Sequence, residues 1–348
     1  MRSLLREHEI ATSLLAWYDA HARELPWRVG PHAMETPDPY RIWLSEIMLQ
    51  QTTVAAVTSY FQTFTENWPT LTDLADAPDE AVMAAWAGLG YYARARNLLK
   101  CARTIRDNFA GQFPEDHDAL LALPGIGPYT AAAISSIAFG LKHTVMDGNV
   151  ERVMARVFDE HVPLPKSKPI LYEHAARCTS SARPGDYAQA VMDLGATICT
   201  PKSPKCDICP IHTLCTAQAA GTAASLPKKT PKKPKPTRHG LIYLARDAGG
   251  RFLLERRPDR GLLGGTLGWP TSDWSENPND TPPFDGHWVT LNDSVKHTFT
   301  HFHLQLTVKT CQLTHPIAVA GRDWQILTPS ELPTVMKKAY DLAKAMWQ

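Results

Sequence analysis

Four of the seven cysteines of this 348-residue chain fall in one short stretch, spaced Cys199-x6-Cys206-x2-Cys209-x5-Cys215. Thiolates so close together wrap one compact centre, and the spacing matches neither the paired C-x2-C knuckles of a zinc ribbon nor a two-Cys, two-His finger. An all-cysteine loop suits an iron–sulfur cluster; a four-cysteine zinc site is the alternative the spacing leaves open. Crowding of this kind, in a chain long enough to form its own core, argues against a disulfide framework and for a reducing compartment. The loop follows a helical run from Ala188 to Ile198, so the cluster is expected to be structural and to display Lys202 and Lys205.

With 44% hydrophobic and 20% charged residues, the chain has the composition of a globular protein with room for two domains. Between Met1 and Trp17 the apolar positions are interrupted by Arg6, Glu7, His8 and Glu9, so a secretory signal is not expected there. Nor does any apolar run reach the length needed to span a bilayer. The expected location is cytoplasmic, and no membrane partner is expected.

Charge is unevenly spread. Residues 226–238 hold six basic residues, four prolines and no acid, which leaves the remainder at −5 against a formal total of +1. The prolines deny this stretch regular hydrogen bonding and favour an extended connector, whose charge suits either a solvated tether or a phosphate contact. On this basis 1–225 is one domain, 226–238 a basic linker and 239–348 a second domain. Before the linker, apolar positions recur at three and four residues, as in Val150, Val153, Met154 and Val157, which predicts an all-α domain. After it, short strands such as 241–244, 251–254 and 302–308 alternate with Gly, Pro and Asp clusters, and Ser330 to Trp347 reads as helix, giving a smaller α+β domain.

Within the helical part, Leu123-Pro124-Gly125-Ile126-Gly127-Pro128-Tyr129 sets a Pro-Gly-x-Gly turn between two helices. Gly125 and Gly127 permit a tight backbone and allow a phosphate to approach the free amides of the second helix. Twenty residues beyond Gly127, Asp147 opens another helix, where a cap worth about 1 kcal/mol would by itself account for it. Glu46 has Ile42, Trp43, Leu49 and Gln50 at helical spacing, so it faces a largely apolar stripe where desolvation favours the protonated carboxyl.

Hairpin, downstream Asp and four-cysteine loop, in this order, resemble the helix-hairpin-helix DNA glycosylase superfamily in its iron–sulfur branch. The segments Leu25-Pro26-Trp27-Arg28, Trp43 to Thr52, Gly88 to Asn97 and Met192-Asp193-Leu194-Gly195-Ala196 resemble MutY-type adenine DNA glycosylases. The resemblance spans nearly the whole chain and implies a helix-hairpin-helix domain with a [4Fe-4S] cluster on Cys199, Cys206, Cys209 and Cys215, then a Nudix-like domain. It implies an enzyme of base excision repair that acts, usually as a monomer, on duplex DNA bearing adenine opposite 8-oxoguanine or guanine, an activity associated with the bacterial nucleoid.

The resemblance assigns Glu46 as the acid that protonates adenine and helps activate water, and Asp147 as the carboxylate that stabilises the sugar cation, supported by Asn149 and Tyr129. Endonuclease III-like relatives carry a lysine nucleophile at the hairpin position where this chain has Tyr129, so a monofunctional glycosylase is expected. Base flipping leaves a gap; Gln51, flanked by Gln50 and Thr52, is assigned to fill it. Tyr91, beside Leu89, is assigned as a wedge at the opposing base, with Trp27 and Arg28 near the adenine pocket. Phe299, Thr300 and His301 match the segment that senses 8-oxoguanine, with Thr300 in place of the usual Ser and Glu151 where several relatives have Lys. Strand alternation through 297–303 predicts His297, Phe299, His301 and His303 on one face. The acidic box of a Nudix phosphohydrolase is missing after Gly265. The rival readings are a bifunctional pyrimidine-damage glycosylase with lyase activity and a non-catalytic DNA-binding module. The stretch from Val29 to Pro37 is longer than expected.

Overall fold

The computed structural model describes residues 2–231, 233–258, 261–329 and 332–347; Met1, Lys232 and Ser330, which belong to segments read above, lie outside the described residues. The chain divides into two compact units, residues 1–85 with 96–231 and residues 86–95 with 232–348. The first unit therefore runs past residue 225. Leu226 is buried with Ala217 and Ala223, and Leu164 N donates to Lys228 O while Thr230 N donates to Leu164 O, so half of the expected linker is tied to the helical unit.

That unit contains α1 (Arg2–His21), α2 (Pro39–Leu49), α3 (Val54–Asn67), α4 (Leu71–Asp76) and α5 (Asp79–Ala85). After α6 (Ala93–Asn108), which begins in the other unit, come α7 (His117–Leu121), α8 (Pro128–Ile137), α9 (Gly148–Val157), α10 (Lys168–Cys178), α11 (Pro184–Thr197) and the short α12 (Thr216–Ala219). Local chemistry fixes several starts. Asp38 accepts from Tyr40 N ahead of Pro39, Thr70 and Asp73 form a reciprocal capping box, and Asp116 caps α7. The main core joins Ile10, Leu14 and Tyr18 of α1 to Val153, Met154 and Val157 of α9 and to Tyr187, Val191 and Leu194 of α11. The predicted turn is the link between α7 and α8. Gly125 sits at φ +78°, in the left-handed region, and a Cβ there would lie 2.9 Å from Asn97 Cβ.

In the second unit, β1 (Thr237–Asp247), β2 (Phe252–Arg256), β3 (Leu267–Gly268), β4 (Val289–Thr298), β5 (His303–Leu313) and β6 (Asp323–Gln325) form a mixed sheet in the order β3-β2-β1-β5-β4, with β6 beside β2. β1 and β5 pair in parallel over their whole length, from Thr237 beside His303 to Asp247 beside Leu313. Residues 240–245 are all buried, as a central strand covered on both faces requires. Ile242 and Leu244 meet Val335, Met336 and Ala339 of α13 (Thr334–Ala343), and Ala245 meets Leu253 and Cys311 on the other side.

The alternation expected through 297–303 is not realised as one strand. β4 ends at Thr298, β5 begins at His303, those two residues pair, and Phe299 N donates to Phe302 O across the turn between them. A hairpin reversal satisfies the backbone there, so Phe299 and His301 share no strand face with His297 and His303. Among the described residues, no group of His, Cys, Asp or Glu forms a single-ion site there.

Candidate active site

α2 carries Glu46 into the interior. The residue is 7% exposed, and the Tyr129 hydroxyl, from the first turn of α8, donates to its Oε2 at 2.7 Å. Burial pushes the Glu46 carboxyl from 4.5 up to about 7, against the opposing pull of the Tyr129 hydrogen bond and of Arg28, with Asp147 adding to the rise. Burial and the Glu46 and Asp147 charges hold the Tyr129 hydroxyl well above its ordinary range, so it remains a donor.

Asp147 is the N-cap of α9, but its carboxylate does more than cap. Oδ1 accepts from Asn149 N at 2.8 Å and Val150 N at 2.7 Å, and Oδ2 accepts from the Asn149 side-chain amide at 2.8 Å. Three donors and a helix N-terminus stabilise negative charge on this group. The oxygen of the Asn149 amide accepts from Arg152 at 2.8 Å, and Arg152 also donates to Gly195 O and Cys199 O. A side chain at position 195 would not fit: a Cβ on Gly195 would lie 2.6 Å from Asn149 Cβ.

These groups share a cavity of about 550 Å³, the size of a small-molecule pocket. Trp27, Arg28, Glu46, Gln50, Gln51, Thr52, Tyr129, Asp147 and Asn149 all line it. The remaining expected residues lie elsewhere. Gly125 and Gly127 form the hairpin, Lys202 and Lys205 are exposed on the cysteine loop, and Leu89, Tyr91 and Phe299 to His301 belong to the second unit. There the Tyr91 hydroxyl and Thr300 Oγ1 are 3.4 Å apart. Gln51 and Tyr91, the assigned plug and wedge, both have positive φ, +58° and +50°. Non-glycine residues rarely adopt that conformation, and it is found where a side chain must be aimed.

Sequence reasoning missed what holds Arg28. Asp193 on α11 is fully buried and accepts from Arg28 Nη1 at 2.7 Å and from Arg23 Nε at 2.5 Å. Gln189 and Met192 of the same helix also line the cavity. The available signal was an acid inside the apolar run 188–198, since a buried charge requires a partner.

The four loop cysteines line a common cavity with Arg156, Val153 and Ile211. Arg156, 1% exposed, donates to Cys199 Sγ at 3.2 Å and to Thr200 O, Pro201 O and Leu226 O. A buried cation aimed at a sulfur fits an anionic thiolate cluster. Cys199, Cys206, Cys209 and Cys215 would hold the [4Fe-4S] cluster, which when bound cross-links the loop from 199 to 215.

Comparison with known proteins agrees with this geometry. Residues 44–168 match the HhH-GPD superfamily of base excision DNA repair proteins. Residues 199–215 match the iron-sulfur binding domain of endonuclease III, and residues 241–346 a NUDIX domain. The chain is 34% identical to the adenine DNA glycosylase of Homo sapiens, over 94% of its own length and 72% of that protein. This chain belongs to the adenine DNA glycosylase family. It is also 35% identical to the adenine DNA glycosylase of Arabidopsis thaliana, over 90% of this chain and 55% of the other. Among solved structures, a thermostable thymine-DNA glycosylase superposes with a TM-score of 0.56 at 28% identity, covering 63% of this chain and all of that one. In this adenine DNA glycosylase family member the hairpin, cavity and cysteine loop all fall in the first unit.

Proposed function

We propose that this protein hydrolyses the N-glycosidic bond of adenine mispaired with 8-oxoguanine or guanine in duplex DNA and leaves the strand uncut. One observation carries the reading: a buried Glu46 that keeps its proton up to about pH 7 lines the same cavity as a threefold hydrogen-bonded Asp147.

The flipped adenine enters beside Trp27 and Arg28. Glu46 gives its proton to a ring nitrogen as the bond between the base and C1′ breaks, and the bonding pair leaves with the now neutral adenine. The sugar becomes an oxocarbenium ion, which the Asp147 carboxylate stabilises. Glu46, now a carboxylate, takes a proton from the water that adds to C1′, and the products are adenine and an abasic site. Tyr129 orients Glu46, and Asn149 orients Asp147. Tyr129 cannot form a Schiff base, and no lysine is among the residues lining the cavity, which supports a monofunctional reaction. Thr300 and Tyr91 together are suited to reading the opposing 8-oxoguanine.

The test is single-turnover incubation with an end-labelled duplex holding one adenine opposite 8-oxoguanine, developed with and without hot alkali. Strand breaks that require alkali and vanish in Glu46→Gln support the reading. Breaks without alkali point to a lyase, and binding without base release removes the catalytic assignment.

A further inference from the structure

Asp193 is wholly buried and has no part in the steps above. We propose that it is a positioning residue of the reaction: it seats the Arg28 guanidinium on the α11 side of the cavity and balances that charge there, so that Glu46 faces an arginine already paired. The proposal rests on the reading of Glu46 as the acid, and the residue it adds is not among those lining the cavity.

Both carboxylate oxygens are committed. Oδ2 accepts from Arg28 Nη1 at 2.7 Å and from the Arg23 backbone N–H at 3.1 Å, and Oδ1 accepts from Arg23 Nε at 2.5 Å. The two arginines line the same cavity as Glu46, yet they are not equivalent. The Arg23 side chain is 28% exposed and the Arg28 side chain 8%, so water screens the first while the second depends on Asp193 for its counter-charge. Stripping water from a carboxylate costs about as much as pairing returns, so a buried ion pair is a weak source of stability. Its place beside a reacting acid gives it another use.

The other partners within the cavity show what Asp193 prevents. Glu46 is faced by Tyr129 from α8, Asp147 from the start of α9 and Arg28, and Glu46 and Asp147 are the acids among the lining residues. A guanidinium deprived of Asp193 turns to one of them. An opposite charge at that range favours the carboxylate, so Glu46 would give up the proton that the leaving base needs. Tyr18 of α1 also faces Arg28 and Asp193, but burial pushes its hydroxyl up to about 12 and it adds no charge. Arg183 and Asp186, which face Tyr18 in turn, pair with each other.

The experiment titrates the Glu46 carboxyl in the cluster-loaded full chain without DNA, following by infrared spectroscopy the protonated C=O band that Glu46→Gln removes. In Asp193→Asn the midpoint should fall from about 7 by about 1 to 3 pH units. The single-turnover rate on adenine opposite 8-oxoguanine should drop about tenfold at neutral pH for each unit of that fall, and recover as pH is lowered below the new midpoint. Adding Arg28→Gln to Asp193→Asn removes the unpaired cation and should bring the midpoint back towards its parental value. An unmoved midpoint overturns the proposal, and so does a rate that falls equally at every pH, which marks a merely structural residue. Should Asp193→Asn not fold, Arg28→Gln alone decides: a charge already balanced should, on removal, move the midpoint by less than about half a unit, and a rise of about one unit or more overturns the pairing. The titration requires no base release, so a protein that releases none would refute the glycosylase reading and still leave Asp193 tested.

Discussion

Arg152 Nη2 donates to Asn149 Oδ1 at 2.8 Å, and that bond determines which way round the Asn149 amide sits. With its oxygen taken by the guanidinium, the amide must present its nitrogen to Asp147 Oδ2. Because Arg152 also holds Cys199 O, one helix, α9, joins the carboxylate at its N-terminus to the first residue of the cysteine loop.

Arg152→Gln should therefore slow base release at saturating DNA and lower iron content together. It leaves buried carbonyls without donors, at a cost of about 1 to 3 kcal/mol each. Single-turnover rates and iron-to-protein ratios check this; normal values for both would show the bridge to be dispensable.

Gly195→Ala acts on the same group from the opposite side. Its Cβ would meet Asn149 Cβ at 2.6 Å, so Asn149 must shift away from Asp147. The single-turnover rate should fall at least tenfold, about 1.4 kcal/mol in barrier, while Kd for undamaged duplex stays near the parental value. An unaltered rate would mean that the helices simply separate.

Glu46 predicts two pH effects. As the proton donor it should give a single-turnover rate that declines as pH rises through about 7. Its folded pKa lies above the ordinary 4.5, so the stability it contributes is complete below that value and is lost as pH rises towards 7. The swing is about 3 kcal/mol for a fully buried group. Denaturant titrations should find Glu46→Gln more stable than the parent at pH 8 and no longer sensitive to pH in this window.

Gln51 at φ +58° costs backbone energy. Gln51→Gly should raise Tm slightly, since glycine relieves roughly 1 kcal/mol of strain, yet weaken base flipping, read by fluorescence of a reporter base beside the target. A Gly variant that flips as well as the parent removes Gln51 from the role of plug.

Removing the cluster should free the loop before the fold. Chelation of iron is expected to expose 200–215 to protease and weaken duplex binding through Lys202 and Lys205, while far-UV helicity changes little, because the core of α1, α9 and α11 is built mainly from helix side chains such as Leu14, Met154 and Val191, and Cys199 and Cys209 pack against it only as partly buried neighbours. Full loss of helicity would instead make the cluster part of the core.

Local pattern determined much of this protein. Helical periodicity, the Asp147 cap, the glycine turn and the cysteine spacing depend on neighbours within a few residues, and the sequence makes each legible. The apolar setting of Glu46 was legible too, because a helix face is periodic. It could not disclose that Tyr129, 83 residues away, would meet Glu46, that Asp193 would clasp Arg28 across 165 residues, or that Arg152 and Arg156 would turn inward to hold the cysteine loop. The 297–303 segment likewise alternates like a strand yet reverses, because the pairing of Thr298 with His303 outweighs periodicity. Contacts between distant residues exist only once helices and strands have packed, and burial, which shifts pKa values and makes each buried charge find a partner, is a property of that packing and not of any short stretch of chain.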